Sequence, residues 1–248
     1  MTSPRSKLER PPAVQNFVRY VHPTVIATAE ALVDFAINTP QTTYFIGNRI
    51  VQDRILLGLD RATAEKAAET TGHVKSRQHN LDYVKAFLDY DEMRGLSRSP
   101  AFDQVVEPFR VSREVVVPVK PLVVCSEAGS LNAVFSVGWA SMPLTDEQWR
   151  LRMTMVEDAV FTLTDFVKAR GTFYAFPRRK ASDPKSREPQ VVQRGDFALL
   201  SKSDLKERLE TYLAGLTLAK QMLADVKLEV ESEAEKPAKD DGQLDLFS

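Results

Sequence analysis

The side chains in this sequence that most often carry out chemistry in proteins are three histidines and one cysteine. His22, His73 and His79 do not have the spacing of metal ligands, and a lone Cys125 does not complete a zinc site. Two valines precede Cys125, which favours a small core residue over a nucleophile. The chain also lacks a glycine-rich phosphate loop and a nucleophile elbow. These residues therefore predict no metal, no cofactor and no catalytic site.

Carboxylates near the last third of the chain leave one enzymatic alternative open. Asp196, Asp204 and Lys206 are residue types that hold a divalent ion in nucleases. Asp204 and Lys206 equally suit the polar first turn of a helix, where an acid complements the helix dipole. A metal-dependent nuclease is thus an alternative to a protein without catalytic activity.

A basic segment lies between residues 177 and 194. It carries six positive and two negative residues, a net charge of +4, and the aromatic residues Tyr174 and Phe176 precede it. Its prolines favour an extended loop that links two strands, and such a loop can follow a phosphate backbone. A solvated loop with the aromatic residues in the core fits equally well. The candidate contacts are Arg178, Arg179, Lys180, Lys185 and Arg187.

Residues 64–81 resemble a helix-turn-helix. Ala68 is small where two helices must approach, Gly72 follows where the turn needs glycine, and Leu81 falls at a core position. Gln78 departs from the pattern, because that position is usually apolar. An amphipathic helix pair with a solvated face is the alternative. The resemblance implies that the second helix presents Lys75, Arg77, His79 and Asn80 to phosphates and base edges.

The C-terminal tail combines an acidic stretch with an apolar end. From about residue 230 the composition predicts a disordered, extended linker, because it cannot bury enough apolar surface to offset its ordering entropy. Exposed apolar groups on a flexible tether usually mark a peptide that binds a pocket on another protein. The apolar end consists of Gln243, Leu244, Asp245, Leu246 and Phe247.

These five residues resemble the pentapeptide by which proteins bind the bacterial DNA sliding clamp: glutamine, leucine, serine or aspartate, leucine, phenylalanine. The resemblance implies that Gln243 forms hydrogen bonds at the rim of the clamp's peptide pocket. Leu246 and Phe247 would fill its apolar subsites, with Leu244 supporting them. The eukaryotic clamp motif and the clathrin-type motif fit less well, and a chance tail or a helix folded back on the body is the alternative. The resemblance covers five of 248 residues.

Composition indicates an ordinary globular protein. The chain is 43% apolar and 27% charged, and its net charge of -1 excludes a polycation that coats DNA over its whole surface. A single cysteine excludes an internal disulfide framework and fits a reducing compartment. Residues 1–12 lack the apolar core of a signal peptide, and no apolar run approaches the length of a membrane span. We therefore expect a cytoplasmic protein without membrane contact.

The elements that must position these residues fall into two regions. Residues 1–110 are predicted to be mainly helical, with helices at 42–58, 61–71, 74–94 and 100–108. Residues 111–229 are predicted to form an α+β region. The remaining residues, 230–248, are predicted to form the disordered tail.

The α+β region reads as strand, strand, helix, strand, strand, helix (ββαββα). We expect a small antiparallel sheet with two helices on one face. A capping box at Thr145 and Gln148 begins the first helix, which Gly171 is predicted to end. The second helix begins near Ser203. The predicted strands lie at 115–117, 122–124, 134–137, 172–176 and 197–200.

Taken together, the sequence predicts a DNA-associated accessory or regulatory protein tethered to the bacterial sliding clamp, acting in replication, repair or mobile-element maintenance. Two alternatives stay open. One is a clamp-tethered metal-dependent nuclease, and the other is a helix-turn-helix type DNA-binding regulator whose tail binds another protein.

Overall fold

The computed structural model of the protein describes residues 4–38, 44–102, 104–180 and 183–234. The described chain has the predicted α+β class, with helices concentrated in the first half and a mixed sheet in the second. The predicted peptide at 243–247 lies outside the described residues.

The helices confirm most of the N-terminal predictions. The predicted segments at 42–58, 61–71 and 74–94 correspond to helices, but residues 100–108 contain strands instead. Within the described residues, none of the helices is long and apolar enough to cross a membrane. The bounds are α1 Pro4–Leu8, α2 Val14–Phe17, a 3-10 turn Val18–Tyr20, α3 Val25–Ile37, α4 Phe45–Leu57, α5 Arg61–Thr70, α6 Val74–Arg94, α7 Asp146–Val156 and α8 Lys202–Ala234.

The strands form one large sheet and two small antiparallel pairs. Their bounds are β1 Arg98–Phe102, β2 Glu107–Arg110, β3 Val116–Val119, β4 Val123–Glu127, β5 Ser130–Val137, β6 Arg170–Ala175, β7 Arg178–Lys180, β8 Asp183–Arg187 and β9 Gln190–Gln193. The order in the large sheet is β1-β4-β5-β6-β9, and β2 pairs with β3 and β7 with β8. Strands β5 and β6 run parallel, because α7 returns the chain between them. The sheet is therefore mixed rather than wholly antiparallel.

Helices cover both faces of the sheet, whereas two helices on one face were expected. On one face Phe135 and Phe173 stack with ring centroids 4.7 Å apart and pack under α7. On the other face Val134 and Tyr174 pack against α4 and α6. Alternate residues of β5 and β6 thus enter different cores, as the pleat of a strand requires. Helix α8 packs mainly on α3 and runs to Ala234, past the predicted tail boundary at residue 230.

The first predicted helix of the α+β region begins as expected but ends early. Thr145 and Gln148 form the reciprocal capping box, with hydrogen bonds of 3.1 and 3.3 Å. Helix α7 gives way to a single π-helical turn at Glu157–Phe161, and Gly171 lies in β6 rather than at the helix end. Apolar residues after α7, among them Val160 and Leu163, pack on the same core although they no longer belong to the α-helix.

Residues 197–200 were predicted to be a strand but do not join the sheet. Strand β9 takes the place beside β6 instead, four residues earlier in the chain than residue 197. Phe197 stacks on Trp149 of α7 with ring centroids 5.6 Å apart, and Leu200 donates its backbone N–H to Thr154 Oγ1. This segment therefore covers α7, and its apolar residues serve that contact.

A buried network of charges joins the C-terminal end of α6 to the sheet. Glu127 of β4 is fully buried, and its Oε1 lies 2.8 Å from Arg94 Nη2 and 3.8 Å from Arg98 Nη2. Asp91 of α6 pairs with Arg98 and with Arg54 of α4. Buried charges are tolerated only when they are paired and hydrogen-bonded, so each member of this network holds the others in place.

We predict that Glu127→Gln destabilises the protein by about 3 kcal/mol or more, because the partly buried Arg94 and the largely enclosed Arg98 side chain lose a charged partner. Urea unfolding followed by circular dichroism measures the change. Glu114→Gln, at an exposed loop position, is the matched control and is expected to change stability by less than about 0.5 kcal/mol. Equal effects of the two substitutions would show that the network contributes nothing to stability.

Candidate nucleic-acid interface

Helices α5 and α6 form the predicted helix pair. Ala68 and Leu81 are buried between them and α4, as a helix-turn-helix requires. Gly72 lies in the turn with a φ of +81°, a left-handed conformation that favours glycine. Unlike a recognition helix with a free outer face, α6 packs its middle on the sheet through Tyr83 and Phe87.

Asn80 was predicted to contact a base edge, and this prediction was wrong. Its side chain is 2% exposed and both ends of the amide are engaged. Oδ1 accepts the backbone N–H of Gly47 at 2.7 Å, and Nδ2 donates to the carbonyl oxygen of Ser76 at 2.8 Å. A Cβ on Gly47 would lie 2.6 Å from the Tyr83 ring, so α4 approaches α6 too closely for any side chain there. Asn80 therefore joins two helices.

The other predicted contacts on α6 differ in exposure. Lys75 is exposed, whereas Arg77 is partly buried and donates from Nε to the carbonyl oxygen of Gly72 at 3.2 Å. His79 is partly buried too, and its Nδ1 is enclosed without a hydrogen-bond partner among the described residues. Of the predicted contacts on α6, Lys75 is thus the most available to a phosphate, and Arg77 is less available because it is partly buried.

The basic segment is a β-hairpin, β7–β8, and not the extended loop that was expected. Arg187 at its end turns inward: Nη1 donates to the carbonyl oxygens of Phe176 at 2.9 Å and Gly138 at 3.1 Å. Its Nη2 donates to the Tyr44 hydroxyl at 3.3 Å, and the guanidinium lies over the Tyr44 ring. The terminal nitrogens of Arg187 are therefore used within the protein, which favours a structural role over the predicted contact with nucleic acid.

The remaining basic residues of the hairpin face different surroundings. Arg178 is partly buried and its Nε is enclosed, while Arg179 is exposed and pairs with Glu188 at 2.9 Å. The side chains of Lys180 and Lys185 lie outside the described part of the chain. Within the hairpin, Arg179 is consequently the described cation that a nucleic acid reaches most easily.

The structure brings the two predicted contact regions together. Strand β8 packs on α6, and Arg187 Nη2 lies 3.5 Å from the carbonyl oxygen of His79. The predicted contacts on α6 and on the hairpin therefore belong to neighbouring segments, although the sequence separates them by about a hundred residues. We call Lys75, Arg77, Arg178 and Arg179 the basic surface.

The residues considered for catalysis do not assemble into a site. Asp196 accepts the backbone N–H of Gln193 at 2.7 Å, and Asp204 and Lys206 lie in the first turns of α8. Across the described residues, no group of three or more histidines, cysteines and acids is placed to hold a metal ion. Cys125 is fully buried, and burial raises the pKa of its thiol to about 11.

Comparison with known proteins adds no relationship: no protein-family model, no curated protein and no solved structure matches this chain.

A feature that the sequence reasoning missed lies on α7. Arg152 is 1% exposed and borders a cleft between α4 and the sheet, together with Asn48 and Ser136. A pattern in the sequence points to it: Arg152 follows Trp149 by three residues, so it falls on the apolar stripe of the helix. A charged residue on that stripe faces the core together with the apolar residues.

We predict that Asn80→Ala destabilises the protein by about 1–3 kcal/mol, because the N–H of Gly47 loses its buried acceptor. Urea unfolding measures this loss. Met93→Ala, at an exposed position on the same helix, is the control and is expected to stay within about 0.5 kcal/mol. An Asn80→Ala protein with native stability and weakened DNA binding would restore Asn80 as a direct contact.

Proposed function

We propose that this protein is a DNA-associated accessory or regulatory protein tethered to the bacterial sliding clamp, in replication, repair or mobile-element maintenance. The observation that carries the proposal is the pentapeptide Gln243 to Phe247, which resembles the clamp-binding motif at each of its five positions. A cytoplasmic location follows, because the clamp encircles cytoplasmic DNA.

The position of the peptide relative to the body supports a tether. Helix α8 is described as far as Ala234, and eight residues separate that residue from Gln243. A chain of this length reaches at most about 30 Å. That reach is enough for the peptide to enter a pocket on a partner while the body stays beside it, and not enough for the body to act far from the clamp.

The affinity expected of such a peptide fits a transient tether. Burial of two or three large apolar side chains contributes roughly 1.5–3 kcal/mol each. Ordering of the chain offsets part of this gain, which leaves binding near the micromolar range. Several equivalent pockets on a clamp ring would add avidity.

The basic surface supports a role for the body at DNA. Lys75 and Arg179 are exposed cations on two neighbouring segments, and the chain as a whole is close to neutral. DNA contact would therefore be local and would depend on few phosphates. The nuclease alternative has less support, because the described acids provide no cluster of metal ligands.

We predict that Phe247→Ala weakens binding of the intact protein to purified clamp by about 30-fold or more, because the largest apolar anchor is lost. Surface plasmon resonance or isothermal titration calorimetry measures the affinity. Ser248→Ala lies outside the pentapeptide and is expected to bind as the intact chain does. Absence of any clamp binding by the intact chain at about 50 μM, well above the expected dissociation constant, would refute the tether. A regulator whose tail binds a different protein would give that result.

We predict that Lys75→Ala with Arg179→Ala weakens DNA binding several-fold without changing the melting temperature. Each lost phosphate contact is expected to reduce the slope of log affinity against log salt by about 1. Fluorescence anisotropy at several salt concentrations measures both quantities. Lys202→Ala removes an exposed cation at the start of α8 and is the control. If the double variant and the control bind alike, the basic surface does not contact DNA.

A further inference from the structure

A cleft of about 300 Å³ lies between α2, α4 and the sheet. This volume is at the lower end of the range for sites that hold small molecules. Five elements contribute polar side chains to its wall: α2 contributes Gln15, α4 contributes Asn48 and Arg49, the connection between β3 and β4 contributes Lys120, β5 contributes Ser136 and α7 contributes Arg152.

Arg152 at the inner end of the cleft is a buried cation without a counter-ion. It forms no hydrogen bond and no ion pair with any described residue, and its Nε is enclosed without a partner. Its guanidinium carbon lies 4.9 Å from the ring centroids of both Trp149 and Phe173. Contact with two rings offsets part of the desolvation cost, but an isolated buried charge stays unfavourable.

The guanidinium is nevertheless charged under ordinary conditions. Burial lowers the pKa of Arg152 to about 9, which is still above neutral pH. The protein therefore holds a positive charge at the inner end of the cleft, and a bound anion would compensate it.

Other polar groups in the cleft also have unused hydrogen-bonding capacity. Gln15 Oε1 is a buried acceptor without a partner among the described residues, and it suits a hydroxyl or amino group of a ligand rather than a phosphate oxygen. Asn48 Oδ1 accepts the Tyr83 hydroxyl at 3.0 Å, so its NH₂ group is the end of the amide left to bind a ligand. That hydroxyl also lies 2.6 Å from Ser136 Oγ, which fixes both cleft residues. The inner part of the wall is thus pre-organised.

The mouth of the cleft is positive as well. Lys120 is exposed there, and the Arg49 side chain is 67% exposed. Arg49 lies 3.7 Å from Asp53, an exposed pair of small energetic value. No aspartate or glutamate is among the described residues that line this cleft. Three cations therefore line this cleft, and one of them, Arg49, is paired with an acid, Asp53, that does not line it.

We propose that this cleft binds a phosphomonoester group, which Arg152 holds at the inner end and Arg49 and Lys120 hold at the mouth. A phosphomonoester carries close to two negative charges near neutral pH and three acceptor oxygens, which matches several cations and amide donors better than a single carboxylate does. A phosphodiester inside a DNA strand would need two ways out of the cleft, one for each neighbouring nucleotide. A terminal phosphate needs only one.

Three sources supply this chemistry: inorganic phosphate, a mononucleotide and the 5′-phosphate end of a DNA strand. Phe45 is 71% exposed and borders the cleft, so a planar base has a ring to stack on beside the phosphate. The inference needs neither the clamp tether nor the basic surface. Loss of clamp binding or of salt-dependent DNA binding would leave it unaffected.

The experiment titrates the intact chain with inorganic phosphate, with deoxyadenosine monophosphate, and with a short single-stranded oligonucleotide that carries either a 5′-phosphate or a 5′-hydroxyl. Binding is measured by isothermal titration calorimetry and by the shift in melting temperature. We expect at least one phosphomonoester to bind with a dissociation constant in the millimolar range or below. The 5′-hydroxyl oligonucleotide is expected to bind more weakly than the 5′-phosphate oligonucleotide. The strongest of the three ligands identifies the source.

Arg152→Met removes the charge and keeps most of the volume. It is expected to weaken phosphomonoester binding about 10- to 100-fold, since a hydrogen bond to a charged group is lost. Arg150→Met is the matched control. Arg150 lies two residues before Arg152 on α7 but does not line the cleft, so this variant is expected to bind normally. Lys120→Gln tests the mouth independently of the buried position, with an expected loss of a few-fold.

The melting temperature separates a binding site from a structural role. Without ligand, Arg152→Met is expected to melt at a higher temperature than the natural protein, because it no longer buries an unpaired charge. Phosphomonoester is expected to raise the melting temperature of the natural protein and not that of the variant. The inference is overturned if no phosphomonoester binds at 10 mM or about that concentration. It is overturned too if sulfate and chloride at equal ionic strength raise the melting temperature as much as the phosphomonoester does. The same holds if Arg152→Met and Lys120→Gln both bind the phosphomonoester as the natural protein does.

Discussion

The hydroxyl of Tyr83 is the contact on which the arrangement of this molecule depends. It is buried between α6, α4 and β5, where it lies 2.6 Å from Ser136 Oγ and donates to Asn48 Oδ1. Burial raises its pKa, so the hydroxyl stays protonated and able to donate. Gly47 lets α4 approach closely enough for this contact. Helix α6 carries part of the basic surface and α4 carries part of the cleft. The geometry of both candidate sites therefore depends on the contact of Tyr83 with Asn48 and Ser136.

The two ends of α6 are held by different chemistry. Near its N-terminal end a neutral amide, Asn80, binds the backbone of α4, whereas near its C-terminal end Asp91 and Arg94 take part in the buried charge network with Glu127. A network of this kind adds little net stability over an apolar core, but removal of one member leaves a charge without its partner and is costly. Helix α6 is therefore fixed along its length, which leaves its first turns and the adjoining hairpin as the surface on which a nucleic acid would be bound.

Local patterns predicted the elements that depend on neighbouring residues. The helices at 45–57, 61–70 and 74–94 and the capping box at Thr145 all follow from short-range preferences. The errors concern distant pairing: a strand where a helix was expected at 100–108, an apolar segment at 197–200 that covers α7, and parallel pairing of β5 and β6. Partners outside the local segment decide such contacts, and no local pattern encodes them.

The candidate sites show the same division. Exposure of Lys75 and Arg179 could be anticipated, because charged residues near turns are usually solvated. The roles of Asn80 and Arg187 could not, since the residue types that bind bases and phosphates also satisfy buried backbone groups. The spacing of a motif does not distinguish these uses, and only the positions of the acceptors do.

Arg152 differs from Asn80 and Arg187 in what surrounds it. Both ends of the Asn80 amide and both terminal nitrogens of Arg187 have protein partners, although Arg187 Nε is enclosed without one, and so these side chains have a structural explanation. Arg152 is at least as buried, yet the described residues offer it only the faces of two aromatic rings. Contact with aromatic faces neither neutralises a charge nor occupies its N–H donors. A helix that needed only to pack here would be more stable with an apolar residue at this position, so the charge is best explained by an anion that binds the folded protein and offsets its cost.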